Sequence, residues 1–571
     1  MPEWRTDETK REPGRRKIQW CLVFIVMAWY LGALVKVHIY PDRRAAEQLA
    51  KQYQQSERKA MDRGSIYDGR GEPLALSITT YSVFLDPGVE GFEPGSLDKL
   101  TPYIGKAKVQ ALDKRLDRRF YWIKRYLERS EAEEIVKNCG KGFYIREERK
   151  RIYPKGNMLS HLLGFCDQDG WGLAGIELMW NGTLVVPEKM HTSYRGAPAA
   201  VDVTQESKPR SGKRGLYLTI DSEIQYAIER FLGAQAAEIK APWAAGICLE
   251  TRTGAVKAMA SYPVFDSNNR STFKDPKALN NNAVNRVYEP GSTFKPIMVA
   301  MALEQGRVKQ GDSFRCPAHL KVADGYISDS HPRDNGVMKV AQIIEKSSNV
   351  GMAQIGMKMP PFSTYEEMRS WGIGSRTGIK LNGEEMGLLP TADKWYGITP
   401  ANVAIGQGFA VTPLQLVTAF NAIVNDGVLL RPYLVRSAVD GEGHQVYHSE
   451  PMEVNRVVSP RNSKWLRGVL RQVVVSGTGK PADSELVHVA GKTGTAQVAR
   501  NGKYVKGLYN SSMIGFWPAN DPEYTMLIVF GDVTGSLYYG GPVAGSVFKK
   551  IVDEQPFRNY QRMGFQLVWW K

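Results

Sequence analysis

The chain has 571 residues, 43% hydrophobic and 23% charged, without low-complexity tracts or internal repeats, so it is a globular protein long enough for two or three domains. Its 75 Lys and Arg outweigh 59 Asp and Glu by +16, yet no clustered basic helix, zinc spacing or RNA-binding signature accompanies the excess, which excludes nucleic acid as a partner. The charge suits an envelope protein lying near anionic lipid or cell wall.

Arg15, Arg16 and Lys17 precede an apolar run from Ile18 to Val35. Eighteen residues rising about 1.5 Å each cover about 27 Å, enough for a hydrocarbon core. No small-x-small cleavage site follows in KVHIYPDRR, so the run reads as an uncleaved anchor, with a buried core helix as the alternative. A short basic tail before a single span stays inside and leaves about 530 residues outside.

Beyond the run, residues 45–64 read as a short polar helix. In RGSIYDGRGEPLALS, Asp68-Gly69 marks a tight turn between two short strands. The region 111–137 (ALDKRLDRRFYWIKRYLERSEAEEIVK) reads as one long amphipathic helix, and short strands and turns continue through GLAGIELMWNGTLVV. Residues 195–214, rich in Pro, Gly, Ser and charge, make a domain joint. From LYLTIDSEIQ at 216 onward, apolar strands alternate with buried helices, the pattern of a large mixed α/β domain. The five cysteines (Cys21, Cys139, Cys166, Cys248, Cys316) lack C-x-x-C and zinc spacing. Cys139 with Cys166 allows one disulfide; buried free thiols are the alternative.

Five serines stand three residues before a lysine: Ser56, Ser96, Ser271, Ser292 and Ser546. STFK occurs twice, at 271–274 and 292–295. After Lys274 the chain is polar and broken by Pro276, whereas PIMVAMALEQG after Lys295 is a helix apolar on nearly all sides. Pro290 and Gly291 place Ser292 at the opening of that helix, and Pro296 fits only its first turn. Ser292 and Lys295 are then neighbours on one face. A solvated lysine near 10.4 is no base at neutral pH, but burial beside a second cation lowers it by roughly three pH units, at about 4 kcal/mol. Amides at the helix start would steady an oxyanion on a group attacked by Ser292. Ser96 sits in an exposed-looking SLDKL, Ser546 opens a terminal helix with Lys549 on a solvated face, and Ser56 lies in the polar stalk.

Two further stretches join Ser292-x-x-Lys295. EKSSNVGMAQIG supplies Ser347-x-Asn349, with a rival S-x-N at Ser267 and Asn269, upstream in a loop. HVAGKTGTAQV supplies Lys492, Thr493, Gly494 and Thr495 in a β-branched strand pattern, and KTG occurs nowhere else. S-x-x-K, S-x-N and K-T-G in that order are a specific combination.

With these three motifs, the sequence resembles the penicillin-binding protein and serine β-lactamase superfamily, and within it the class B penicillin-binding proteins. RGSIYDGRGEPLA, VFLDP, HLLGF, GLAGIELMWNG, LTIDSEIQ, TGAVKAMASYPVFDSN, IGQGFAVTPLQL and IGFWPANDPEY extend the likeness over nearly all of the chain after the apolar run. The resemblance implies an α/β (α+β) transpeptidase domain, a five-stranded antiparallel sheet flanked by helices plus an all-helical subdomain, on an elongated N-terminal pedestal with one transmembrane helix. The expected divisions are a cytoplasmic tail 1–17, anchor 18–38, pedestal (dimerisation-type) 39–200, linker 201–214 and transpeptidase domain 215–571.

The resemblance also implies roles. Ser292 attacks the carbonyl between two D-alanines of a peptidoglycan stem peptide and Lys295 takes its proton. Ser347, held by Lys492, relays the proton to the departing D-alanine. Asn349 bonds the donor's amide; Thr493 and Thr495, flanking Gly494 in the same stretch, hold its carboxylate, aided by the charge of Lys492. Backbone amides of Ser292 and Thr495 form the oxyanion hole. An amine from a neighbouring stem then closes the cross-link. Implied partners are stem peptides, β-lactams, a SEDS-family glycan polymerase and divisome membrane proteins; the place is the bacterial cytoplasmic membrane, single-pass, with the catalytic domain outside. No metal or organic cofactor is implied.

EPGST, the FYWIKRYL segment and the lack of C-terminal extensions favour the division or sporulation branch over elongation. A D-alanyl-D-alanine carboxypeptidase shares the motifs and stays open. A soluble β-lactamase, a bifunctional glycosyltransferase, a β-lactam sensor and a non-enzymatic scaffold fit less well. KNCGKGFYIREE departs from the family's usual stretch, and HPRD at 331–334 has no role in the pattern.

Overall fold

The computed structural model describes residues 63–185 and 213–562, apart from 274 and 324, together with Phe24 and Met27. Among the described residues no helix is long and apolar enough to cross a membrane. The expected anchor, apart from the helical Phe24 and Met27, the stalk helix, and most of the 195–214 joint fall outside them.

Strands β1 (Ser65–Tyr67) and β2 (Pro73–Leu85) form the expected hairpin. Buried Asp68 shapes its turn by accepting from the Arg70 and Glu72 amides, both at 2.9 Å. The predicted helix over 111–137 is wrong. Helix α1 (Lys106–Asp113) ends early, β3 (Tyr121–Leu127) is a strand, and α2 (Arg129–Cys139) follows. The reason is the aromatic and β-branched run of β3, whose Trp122 pairs with Phe84 of β2 and joins Phe120 and Tyr144 in an aromatic cluster. Strand β4 (Phe143–Ile152) pairs along β2 from Leu76 to Leu85. GLAGIELMWNGTLVV forms short helices (Gly175–Met179, Asn181–Leu184) rather than strands. Their Glu177 is buried between Arg63 (2.5 Å) and Arg151 (2.7 Å), and it accepts from Tyr153 at 3.3 Å.

Strand β5 (Gly215–Leu218) lies parallel to β1. Helix α3 (Ser222–Glu238) starts at the N-cap Asp221, whose carboxylate accepts from the Glu223 and Ile224 amides. Strands β6 (Trp243–Glu250) and β7 (Val256–Tyr262) follow, then helices α4 (Lys295–Glu304), α5 (Asn349–Met357) and α6 (Pro413–Val424). Strands β8 (Val435–Val439) and β9 (Gln445–His448) close a seven-stranded sheet in the order β9-β8-β5-β1-β2-β3, with β4 also on β2. Helix α7 (Pro460–Val475), strands β10 (Ala490–Arg500), β11 (Lys503–Trp517) and β12 (Tyr524–Val533), and helix α8 (Ser546–Arg562) complete the chain.

The second sheet is five-stranded and antiparallel, β10-β11-β12-β6-β7. Along β12, Met526, Ile528 and Phe530 pack with α3 and α8, while Leu527 and Val529 pack with α4, α6 and α7. Both faces are therefore covered, and the period of two explains why these strands read as continuous apolar runs. Strand β10 is one edge and β7 the other. The four described cysteines, Cys139, Cys166, Cys248 and Cys316, are buried free thiols, so the Cys139–Cys166 disulfide is not formed.

Candidate active site

Ser292 sits on a 3-10 turn, Gly291–Phe294, that leads into α4. Gly291 has φ +56°, its amide donates to Gly406 (2.9 Å), and an added Cβ would lie 2.9 Å from that of Ala496. Glycine is therefore required where the serine turn meets β10. Thr293 Oγ1 donates to Pro290 O at 2.7 Å, and Phe294 packs on Phe409 beneath. Ser292 keeps partial access to solvent, whereas Lys295 has none.

Nζ of Lys295 donates to Ser347 O (2.7 Å) and Asn349 Oδ1 (2.7 Å), and lies 3.3 Å from Ser347 Oγ. Burial lowers its pKa to about 7, against an opposing pull from Asp329. Lys492 is equally buried; its Nζ donates to Ser347 Oγ (3.0 Å), Thr493 O (3.0 Å) and Thr478 Oγ1 (3.5 Å). Burial first, and the charge of Lys295 second, lower Lys492 as well. Two amines around one hydroxyl thus hold one proton more readily than two. Each amine has three acceptors within reach, and Ser347 Oγ is common to both.

Ser347 adopts φ +60°, an uncommon conformation for a non-glycine residue, just before α5. Ser348 caps α5 by accepting from Gly351 N (3.1 Å). Asp329, which the motif reading missed, accepts from Asn349 N (2.5 Å), Val350 N (3.1 Å), Ser348 Oγ (3.1 Å) and Asn335 Nδ2 (3.0 Å). A carboxylate at a helix N-terminus is favourable, and this one fixes the SSN segment. Asn349 Nδ2 also donates to Ser328 O (3.0 Å), leaving its second hydrogen for a ligand.

On β10, Thr493 Oγ1 donates to Thr478 Oγ1 (2.8 Å) and Thr495 Oγ1 accepts from Gly540 N (2.9 Å). Thr478 and Gly540 were also missed: SGTGK and YYGGP carry no signal without the strand they meet. A Cβ on Gly494 would approach Ser512 Oγ to 2.5 Å and Thr293 Cγ2 to 2.9 Å, so only glycine lets β10 pass this close. Ser292, Ser347, Asn349, Thr493 and Thr495 line one open cavity of about 690 Å³, walled by Tyr509, Tyr538 and Tyr539. The structure brings all three motifs together.

The other serines stand apart. Ser271 is exposed and donates to Asn269 Oδ1 (2.7 Å); Lys274 and the Ser56 pair lie outside the described residues. Ser96 is buried, not exposed as its sequence suggested, with Lys99 in solvent. Lys549 donates to Asp483 O (2.7 Å) and Ser546 to Pro542 O (2.6 Å). Ser267 donates to Gly164 O (2.8 Å). Of HPRD, Asp334 pairs with Arg315, and His331 stacks 6.0 Å from Tyr539 on the cavity wall.

A hydroxyl at a helix start, a buried lysine one turn on and a second lysine across an edge-strand groove define a serine acyl-transferase of the penicillin-binding fold. The model of the penicillin binding protein transpeptidase domain matches residues 244–553, and that of the penicillin-binding protein dimerisation domain matches 58–225. The chain is 31% identical over 504 residues to stage V sporulation protein D of Bacillus subtilis, covering 86% of this chain and 78% of the relative. It is 28% identical over 545 residues to peptidoglycan D,D-transpeptidase FtsI of Escherichia coli, covering 93% and 89%. Penicillin binding protein 3 of Mycobacterium tuberculosis, solved with aztreonam, superposes with a TM-score of 0.67 at 26% identity, over 89% of this chain and 98% of that one. The chain belongs to the class B penicillin-binding proteins and is a transpeptidase of that family.

Proposed function

We propose that the protein cross-links peptidoglycan as a D,D-transpeptidase in division or sporulation. Neutral Lys295 takes the proton of Ser292 as its oxygen attacks the carbonyl between two D-alanines. Ser347, lying between Lys295 and Lys492, passes a proton to the departing D-alanine amine. Asn349 bonds the donor backbone, while Thr493, Thr495 and the nearby charge of Lys492 hold its carboxylate where Gly494 keeps the strand close. Amides of Ser292 and Thr495 receive the oxyanion. An amine of a second stem attacks the ester, forming the amide and releasing Ser292. The observation that carries this reading is Lys295, wholly buried with Nζ between Ser347 and Asn349.

Names of relatives, one a sporulation protein and others peptidoglycan D,D-transpeptidases, support the substrate and the branch. The same reading has the chain anchored by residues 18–38 after a cytoplasmic tail 1–17, with pedestal 39–200, linker 201–214 and transpeptidase domain 215–571 outside the membrane, beside a SEDS-family polymerase and divisome proteins. Labelling by a fluorescent penicillin tests the site: Ser292→Ala should abolish it and Ser271→Ala should leave it intact. Stem peptide supplied with and without an amine acceptor tests the reaction. Hydrolysis with no dimer formed would make the enzyme a carboxypeptidase.

A further inference from the structure

A cavity of about 480 Å³ shares no lining residue with the catalytic one. Three parts of the chain wall it. Met179 and Trp180 come from the short helices Gly175–Met179 and Asn181–Leu184 and their junction, and Gly378 and Lys380 from the loop after the helix Pro361–Ser370. Arg431 precedes β8, and Tyr447 belongs to β9. The volume suits a small molecule, and sites of that kind join apolar walls to a few convergent polar groups. Here the apolar wall is aromatic. Trp180 and Tyr447 meet edge to face, with ring centroids 4.8 Å apart at 69°, and Tyr447 is 40% exposed.

The polar group is half-buried Arg431. Its amide donates to Met452 O (2.9 Å), and its stem lies across Gly378, where a Cβ would come within 3.2 Å of Nε. Its guanidinium makes no hydrogen bond or ion pair among the described residues, and its nitrogens keep access to solvent. Arginines close by in the chain are satisfied: Arg376 donates to Glu384 O (2.9 Å) and Arg436 to Gly69 O (3.0 Å). The donors of Arg431 are left over, in a fork that matches a carboxylate or a phosphate. Lys380 is exposed, likewise unpaired among the described residues, and holds φ +63°, which a lysine seldom adopts. Glu450 is the single carboxylate on the walls, so Arg431 and Lys380 leave them positive.

We infer that this cavity binds a small ring compound carrying a carboxylate or a phosphate, at a site separate from the transpeptidase groove. The Arg431 fork takes two oxygens of the anion and Lys380 adds its charge, while the ring lies against Trp180 and Tyr447. The ring is a sugar or an aromatic, and both present the same flat, partly apolar face to such a wall. An uncharged ring leaves the guanidinium as it is in the empty site, and a bare anion leaves the aromatic wall wet.

Calorimetric titration of the full chain, with Ser292 first blocked by penicillin, tests this with glucuronate, glucose 6-phosphate and benzoate, and with glucose as the uncharged ring. At least one of the three anions should bind with millimolar or tighter affinity, and glucose at least about tenfold more weakly than that anion. Glucuronate or glucose 6-phosphate ahead of benzoate supports a sugar as the natural ring, and the reverse order supports an aromatic. Arg431→Gln should weaken the anion at least about tenfold and Lys380→Gln about threefold. If Arg431→Gln does not fold, Lys380→Glu, made on an exposed side chain, takes its place with about a tenfold loss expected. No binding of any anion up to about 10 mM would overturn the inference. So would glucose binding as well as the anions, or affinities untouched by these variants. Binding seen only before penicillin treatment would place the anion in the catalytic groove and overturn the inference, while the transpeptidase reading would stand.

Discussion

The pH dependence of Ser292 acylation is set by Lys295. With its pKa at about 7, half of the amine is neutral at pH 7. At an ordinary lysine pKa near 10.4 only about one in three thousand would be, so burial raises the available base by about 10³. The free-energy cost of holding the amine this way is about 5 kcal/mol, consistent with a side chain that has no access to solvent. The acylation rate, followed by stopped-flow with a fluorescent penicillin, should fall about tenfold per pH unit below about pH 6 and level off above about pH 8. Lys295→Arg, with a guanidinium that does not deprotonate, should lower the rate by about 10²–10⁴ at every pH. The same group makes the fold more stable as pH rises from about 7 toward the unfolded value near 10.4, because the unfolded chain then binds the extra proton. A rate that is flat with pH, or one still climbing at pH 10 as an ordinary lysine requires, would refute the argument.

Asp329→Ala should lower stability by about 1–3 kcal/mol, seen as a lower melting temperature, and slow acylation because Asn349 loses its anchor; an unchanged melting temperature would exclude the capping role. Glu177→Gln strands the buried Arg63 and Arg151 and should cost about 3–5 kcal/mol by chemical denaturation. Although burial opposes its ionisation, Arg151 and Arg63 hold the Glu177 carboxyl below its usual value, so its contribution is present above about pH 4.3 and lost as pH falls through that lowered value. Gly494→Ala should slow penicillin labelling by at least about tenfold while costing only about 1–3 kcal/mol of stability, since the added methyl levers β10 away from the serine turn.

What could be read from the sequence was whatever is local. The helix after Lys295 was legible because nine consecutive residues, Lys295–Leu303, are buried and Pro296 stands in its first turn. The Asp68 turn was legible because its hydrogen bonds close within four residues. Asp329 was not, since what makes it matter is the amide of Asn349, twenty residues on and visible only after folding. Thr478 and Gly540 were hidden for the same reason. The helix assigned across FYWIKRYL failed because its aromatic residues are spaced for the face of a sheet with β2, and that pairing outweighed the charge pattern of a helix. Ser96 looked exposed from its polar neighbours but is buried with Leu97 and Leu100.

The three-residue ladder between β1 and β5, Ser65 with Gly215, Ile66 with Leu216 and Tyr67 with Tyr217, is parallel. β1 is therefore held on both edges, by β2 from its own hairpin and by β5 from the strand that leads into α3, so loss of either ladder exposes the other.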